Sequence, residues 1–252
     1  MIVGGGTVRV ASRRDPRLIR RMAVLIVGLL AAACVRTVKT VVPVPAERTV
    51  ESVVEDLGPS ARARWAPLCH AVGLYYPPPQ LALLAFKRER RLEIWGRQNG
   101  PWVPIDAMPV LAASGVPGPK LREGDGQVPE GFYRIVAFNP NSRYHLSLML
   151  DYPNADDLIE GERDGRTDLG GEIFVHGGAR SIGCLAVGDY AIESLFVLVA
   201  DVGIENVQVI IAPRDPRGGI TLEPIADVPF TTDLYRRIED GLRAFGGGPA
   251  ER

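Results

Sequence analysis

The sequence predicts a mainly β fold, a sandwich or barrel with a few flanking helices, and two observations lead to it. Short runs of β-forming residues recur between Leu81 and Ile211, and Gly, Pro, Asn or charged residues bound each run. Glycine (28) and proline (21) exceed average usage and lie mostly between those runs. This pattern favours a strand-based, loop-rich fold over a helical bundle.

The predicted strands are seven, and the first two form a hairpin whose polar loop is Lys87–Arg90. The remaining strands follow at intervals that suit a sandwich or barrel. Their bounds are Leu81–Phe86, Arg91–Trp95, Trp102–Ile105, Phe132–Phe138, Tyr144–Leu150, Glu172–Val175 and Val207–Ile211.

The predicted helices flank these strands. Apolar spacing is helical over Thr49–Leu74, where Gly58-Pro59 predicts a break into two short helices. A helix over Tyr190–Val202 follows Asp189, a candidate N-cap, and an amphipathic helix lies near Thr232–Phe245.

The first 33 residues have the layout of a signal peptide, because arginines precede the apolar run Met22–Ala33. That run is too short for a membrane span, which needs roughly 20 residues. Cys34 follows Leu30-Ala31-Ala32-Ala33, which resembles a lipobox, so Cys34 is a candidate lipidation site that would anchor the chain to the membrane. Ordinary cleavage after an A-x-A sequence is the alternative. Both routes predict export to the periplasm or cell envelope.

Charge and cysteine content exclude several classes of function. The 29 basic and 30 acidic residues leave a net charge of −1, which does not suit a nucleic-acid binder. The three cysteines form no CxxC pair, and His145, His176 and Cys184 lack an evident fourth ligand for zinc. We therefore expect no metal and no cofactor, with Cys69 buried and free.

The stretch Glu172–Asp189 carries the candidate chemistry. A strand delivers His176 at its end, Gly177-Gly178 allows a turn, and Cys184 follows eight residues after His176. An imidazole beside a thiol raises its thiolate fraction, so Cys184 is the predicted nucleophile and His176 the base.

Three neighbours of this pair have predicted supporting roles. The backbone N–H groups of Gly183 and Cys184 would face an oxyanion. Ser181 would hydrogen-bond within the loop or to the substrate, and the carbonyl of Gly177 would orient the base.

At these residues the chain resembles the L,D-transpeptidase catalytic domain, the YkuD type, and its YafK-like branch. The motifs that carry this resemblance are His176-Gly177 and Ser181-Ile182-Gly183-Cys184, and the likeness covers roughly Pro79–Pro213. Further motifs lie in Pro119–Gln127, Pro129–Tyr133, Asn139–Leu148 and Tyr152-Pro153-Asn154. The resulting division is a signal peptide (1–33), a linker and helical region (34–78), the catalytic domain (79–213) and a C-terminal extension (214–252).

The resemblance implies a cysteine acyl-enzyme formed on peptidoglycan stem peptides. An amine acceptor would give a crosslink or attach a protein, and water would give hydrolysis of L,D-linkages or release of a wall-linked lipoprotein. A catalytically idle wall-binding lipoprotein and a zinc-dependent peptidase are alternatives of other classes.

The chain departs from the family motif at Ile182, which stands where the family has histidine. His145 either restores an imidazole to the pocket from a neighbouring strand or packs with Tyr144. Arg143 and Arg180 are candidates for binding a substrate carboxylate, and Tyr152 is a further candidate substrate contact.

Overall fold

The computed structural model describes residues 47–246, and the mainly β prediction is confirmed there. Nine strands form one curled sheet in the order β3-β2-β1-β9-β5-β6-β7-β8-β4. The strands are β1 (Gln80–Phe86), β2 (Arg91–Arg97), β3 (Val103–Pro109), β4 (Ala112–Ala113), β5 (Gly131–Asn139), β6 (Ser147–Leu150), β7 (Phe174–His176), β8 (Leu185–Ala186) and β9 (Val207–Ala212).

Strand β5 joins the two halves of the sheet, because it pairs with β9 on one side and with β6 on the other. The sandwich-or-barrel alternative therefore resolves into one continuous sheet. The predicted hairpin is confirmed: β1 and β2 are antiparallel, and Phe86 lies opposite Arg91.

Both faces of the sheet's centre are buried, as β1 illustrates. Alternate side chains of a strand point to opposite faces. Leu81, Leu83 and Ala85 belong to the core beneath the N-terminal helix, whereas Ala82, Leu84 and Phe86 belong to the core beneath the C-terminal helix. The near-continuous apolar run of β1 follows from this two-sided burial.

Within residues 47–246, four α-helices flank the sheet: α1 (Val50–Ala71), α2 (Ala155–Arg163), α3 (Asp189–Val202) and α4 (Thr231–Leu242). The predicted break in the first helix is wrong, since α1 runs through Gly58 and Pro59 without interruption. Trp65 of α1 is fully buried, and its Nε1 donates to the carbonyl of Ser194 on α3 at 2.8 Å. Packing of an apolar face on α3 outweighs the backbone bond that a proline removes.

Helix α2 was not predicted. Asn154 caps it by accepting bonds from the backbone N–H groups of Asp156 and Asp157, and the Asp157 carboxylate reaches back to the N–H of Asn154. This capping box is readable in the sequence, but few apolar residues follow it.

The predicted cap of α3 is also wrong. Gly188 is the N-cap residue, and Asp189, the first helical residue, accepts no cap bond within its own helix. The predicted signal peptide and Cys34 lie outside the described residues. Within 47–246, no helix is long and apolar enough to cross a bilayer.

Candidate active site

Strands β7 and β8 bring His176 and Cys184 to one face of the sheet. The two strands are parallel, with Val175 opposite Leu185 and His176 opposite Ala186. Because side chains alternate along a strand, Cys184, one residue before Leu185, shares a face with His176. Both side chains line a cavity of about 730 Å³.

The turn after β7 requires glycine at two positions. A Cβ on Gly177 would lie 2.6 Å from both the Asp189 Oδ1 and the Tyr144 carbonyl oxygen. Gly178 has a φ of +68°, which side chains disfavour. Asp189 holds this turn, because its Oδ1 accepts a bond from the Gly178 N–H at 2.7 Å.

The imidazole of His176 is buried and held in one orientation. Its Nδ1 lies 2.6 Å from the Gly177 carbonyl oxygen, and the Tyr144 ring stacks on it at 4.6 Å between centroids. A carbonyl only accepts, so Nδ1 carries the proton and Nε2 is left as the acceptor. Burial lowers the pKa of His176, and the bond to Gly177 opposes that effect in part.

The thiol of Cys184 is held above its ordinary pKa by burial. A backbone hydrogen bond at Phe174 and the Lys120 ammonium act in the opposite direction, and the Glu172 carboxylate adds to the rise. Among residues 47–246 no hydrogen bond joins the Cys184 Sγ to His176. The raised pKa of Cys184 and the lowered pKa of His176 both favour the neutral forms. Hydrogen bonds between an acid–base pair and its nucleophile need not be formed before the substrate binds.

Ser181 is the hydrogen-bonding centre of the loop before Cys184. Its Oγ accepts from the N–H groups of Gly183 and Cys184 at 3.2 and 3.1 Å and donates to the Cys184 carbonyl at 2.7 Å. The Ser114 Oγ lies 3.0 Å from the Ser181 Oγ. The two N–H groups expected to face an oxyanion thus contact Ser181 instead.

Lys120 is a cavity residue that sequence reasoning did not single out. Its buried ammonium donates to the Arg122 carbonyl and to the Asp125 Oδ1, both at 2.8 Å. Burial raises the pKa of Asp125, but bonds from Lys120 and from three backbone N–H groups hold it below its ordinary value. Lys120 lies in the motif Pro119–Gln127 that carries part of the family resemblance, and this membership could have singled it out. Gly124 and Gly126 of the same motif both have positive φ.

The candidate substrate-binding residues lie in different places. Arg143 is exposed and lines the cavity, as does Ile182, whose side chain is 84% exposed. His145 is not among the lining residues. It lies outside any strand with a φ of +75°, and its Nε2 is 2.7 Å from the Glu193 Oε1. Of the two alternatives for His145, the one that places its imidazole in the cavity finds no support among the described lining residues.

Arg180 and Tyr152 are also outside the lining of this cavity. Arg180 is exposed on the loop between β7 and β8. Tyr152 is buried and donates to the Leu169 carbonyl at 3.0 Å, because its hydroxyl needs a partner in the interior. Tyr152 therefore has a structural contact where a substrate contact was expected.

The other described cysteine behaves as predicted. Cys69 is fully buried in the core and makes no disulfide with Cys184. Burial raises the pKa of Cys69 to about 11. Within the described part of the chain, no three His, Cys, Asp or Glu side chains are grouped so as to hold a metal ion.

The fold and site define a mainly β domain with a candidate cysteine–histidine pair at the ends of two adjacent strands. Residues 82–211, just over half of the chain, match the model of the YkuD family, the L,D-transpeptidase catalytic domain. The chain belongs to this family.

A curated relative shows the same likeness. YafK of Escherichia coli (strain K12), whose name describes it provisionally as an L,D-transpeptidase, is 34% identical over 133 residues. The match covers 51% of this chain and 52% of YafK, so the chain spans about half the length of the curated relatives it matches.

Among solved structures, the helical cell shape determining protein Pgp2 of Campylobacter jejuni is 23% identical with a TM-score of 0.46, over 66% of this chain and 56% of that one. L,D-transpeptidase 1 of Mycobacterium tuberculosis is 14% identical with a TM-score of 0.30, over 52% and 61%.

Proposed function

We propose that this chain is a peptidoglycan L,D-transpeptidase that forms a cysteine acyl-enzyme on stem peptides in the cell envelope. One observation carries the proposal: within a domain of this family, His176 and Cys184 line the same cavity from adjacent strand ends. Export by residues 1–33 and lipidation of Cys34 belong to the same proposal.

The proposed reaction has two halves. As the Cys184 Sγ attacks the peptide carbonyl, Nε2 of His176 takes the thiol proton and then gives it to the departing amine. A thioester remains on Cys184. An acceptor amine then attacks the thioester and loses a proton to His176. The C–S bond breaks, a new amide bond remains, and His176 returns the proton to the departing Cys184 thiolate.

Stabilisation of the oxyanion requires an exchange of partners in the loop. The N–H groups of Gly183 and Cys184 now donate to the Ser181 hydroxyl. A charged oxyanion accepts more strongly than a neutral hydroxyl, so we propose that it replaces Ser181 as their partner in the tetrahedral intermediate.

Charges around the cavity suit a donor and an acceptor peptide together. Arg143 lines the cavity and is available for a carboxylate of the acyl donor. Glu123 and Glu172, both exposed, line the same cavity and would attract the cationic amine of an acceptor. This pairing of charges favours transfer to an amine.

Hydrolysis is the second candidate, and exposure of the cavity favours it. Ile182 stands beside Cys184 with 84% of its surface exposed, so its side chain does little to shield a thioester from water. Release of a wall-linked lipoprotein would be one form of this reaction.

Products distinguish the two candidates. Purified chain is incubated with muropeptides that carry L,D-crosslinks or a linked lipoprotein peptide, and the products are identified by mass spectrometry. New crosslinked or exchanged products establish a transferase, and loss of those linkages with free peptide ends establishes a hydrolase.

The matched controls are Cys184→Ala and Cys69→Ala, because each removes one described cysteine. We expect Cys184→Ala to abolish turnover and Cys69→Ala to retain it. A chain that binds muropeptides but changes none of them would instead be a wall-binding protein.

A further inference from the structure

A second cavity, of about 590 Å³, lies against the β1–β2 hairpin loop and the segment after β9. None of its lining residues lines the cavity of Cys184. It is therefore a separate site that the proposed reaction does not use.

Three arginines line this second cavity, Arg88, Arg90 and Arg214, and none of them makes a salt bridge with a carboxylate within residues 47–246. The neighbouring Arg91 and Arg217 differ, since both pair with the buried Glu93 at 2.9 and 2.8 Å. The cavity thus brings together three guanidinium groups that have no carboxylate partner within residues 47–246.

Backbone contacts fix this arrangement. The N–H of Lys87 donates to the Ala212 carbonyl and that of Arg88 to the Pro213 carbonyl, both at 3.0 Å. These bonds place the hairpin loop beside Arg214. Arg90 adopts a left-handed φ of +49°, a conformation that a residue with a Cβ adopts only when its surroundings impose it.

The guanidinium of Arg214 has an unmet hydrogen-bonding need. Its Nε is buried and has no partner among the described residues. The Nε of Arg64 is also unpartnered, but that guanidinium bonds to Asp106 at 2.8 Å, whereas Arg214 has no such carboxylate. A buried N–H without a partner is destabilising, so the described residues leave this guanidinium incompletely satisfied.

Little negative charge opposes the three arginines at this cavity. Lys87 also lines the cavity but adds little positive charge, because its ammonium is bonded to the Glu130 carboxylate at 2.8 Å. Glu223 is the lining carboxylate, and it is exposed. The rest of the wall is largely apolar, formed by Val116, Pro117, Leu222, Pro224 and Ile225.

We propose that this cavity binds an anionic oxygen group, such as a carboxylate, carried on an apolar group. The favoured ligand is a peptide carboxylate. Arginine forks bind carboxylates and phosphates through paired hydrogen bonds. The apolar wall favours a carboxylate on an aliphatic body over inorganic phosphate, which is strongly hydrated.

A ligand here would touch a segment that is bonded to the loop of Cys184. Ser114 lines the second cavity, and its Oγ lies 3.0 Å from the Ser181 Oγ, which in turn bonds to Cys184. The site therefore adjoins the loop before Cys184, although it shares no lining residue with the cavity of Cys184.

Methyl NMR of the purified chain tests the proposal and locates the ligand. N-acetyl-leucine is titrated and compared with N-acetyl-leucinamide and with inorganic phosphate. The Ile225 methyl reports on the second cavity, and the Ile182 methyl reports on the catalytic cavity.

We expect N-acetyl-leucine to shift the Ile225 methyl in a saturable way and the amide to leave it unchanged. Arg214→Gln should weaken the binding roughly tenfold, the effect of one lost charge-assisted bond pair, and Arg88→Gln, at an exposed position, serves if the first variant unfolds. Arg134→Gln, an exposed arginine away from this cavity, should bind as the unmodified chain does.

Inorganic phosphate that binds as tightly as N-acetyl-leucine would contradict the preference assigned to the apolar wall and would overturn the proposal. Equal shifts from the acid and the amide, a shift confined to Ile182, or unchanged affinity in both arginine variants would overturn the proposal.

Discussion

At the scale of single residues, burial sets the protonation states of the candidate pair. It raises the pKa of Cys184 and lowers that of His176, so the favoured resting state is a neutral thiol beside a neutral imidazole. In the proposed reaction, proton transfer would then accompany attack on the substrate, and a preformed thiolate would not be needed.

The pH dependence of thiol alkylation follows from this state. We expect the rate of Cys184 modification by iodoacetamide to rise through alkaline pH, beyond the ordinary thiol pKa of about 8.5. The rate is measured by peptide mass spectrometry, with Cys69 as the internal comparison. A plateau of rapid modification near neutral pH would reveal a thiolate–imidazolium pair and contradict the neutral state.

In the proposed reaction the acid limb of activity depends on His176. Because its pKa is lowered, the imidazole becomes half protonated only at a pH below about 6.5, the ordinary histidine value. We expect the acid limb of the activity profile to be centred below that pH. A loss of activity centred above pH 6.5 would show that the base has a raised pKa.

Lys120 supports both the loop and the thiol. Lys120→Met leaves the Asp125 carboxylate without its buried cation, and we expect a loss of about 3 kcal/mol in the free energy of unfolding. Alkylation of Cys184 should also move to higher pH, because the cation that lowers the pKa of Cys184 is gone. Lys120→Arg keeps the charge and should keep the alkylation profile. An unchanged profile in Lys120→Met would assign Lys120 a purely structural role.

At the scale of elements, the glycine turn after β7 is the most constrained connection in the site. Gly177→Ala would force a Cβ against the Asp189 carboxylate and the Tyr144 carbonyl, and we expect a loss of about 2 kcal/mol by denaturant unfolding. Gly218→Ala is the matched control, since nothing lies within 4 Å of its added Cβ. Equal stability of the two variants would contradict the packing described for the turn.

Local sequence predicted the elements whose patterns are strong and failed where distant packing decides. The β1–β2 hairpin and helix α3 follow from apolar runs bounded by turn residues. The continuity of α1 through Pro59 depends on Trp65 packing against Ser194, a residue far along the chain. The role of Asp189 was missed for the same reason, because its partner Gly178 lies in the preceding turn and not in α3.

At the scale of the whole molecule, sheet topology assembles the candidate site from separate segments. The motif at 119–127, the loop before β6 and strands β7 and β8 all contribute to one cavity. Motifs alone pointed to Cys184 and His176. The bonds that Ser181 makes within its loop agree with one of the two predicted roles of Ser181. The burial of Lys120 and the position of His145 outside the cavity lining were not predicted, since each depends on how these segments meet.

The most direct test of the central claim is a search for the acyl-enzyme. The purified chain is mixed with stem peptide, quenched within seconds and digested, and the Cys184 peptide is examined by mass spectrometry. We predict an acyl adduct on Cys184 that is retained in Cys69→Ala and lost in Cys184→Ala. Turnover of the peptide by Cys184→Ala, or an adduct on another residue, would contradict the proposed mechanism.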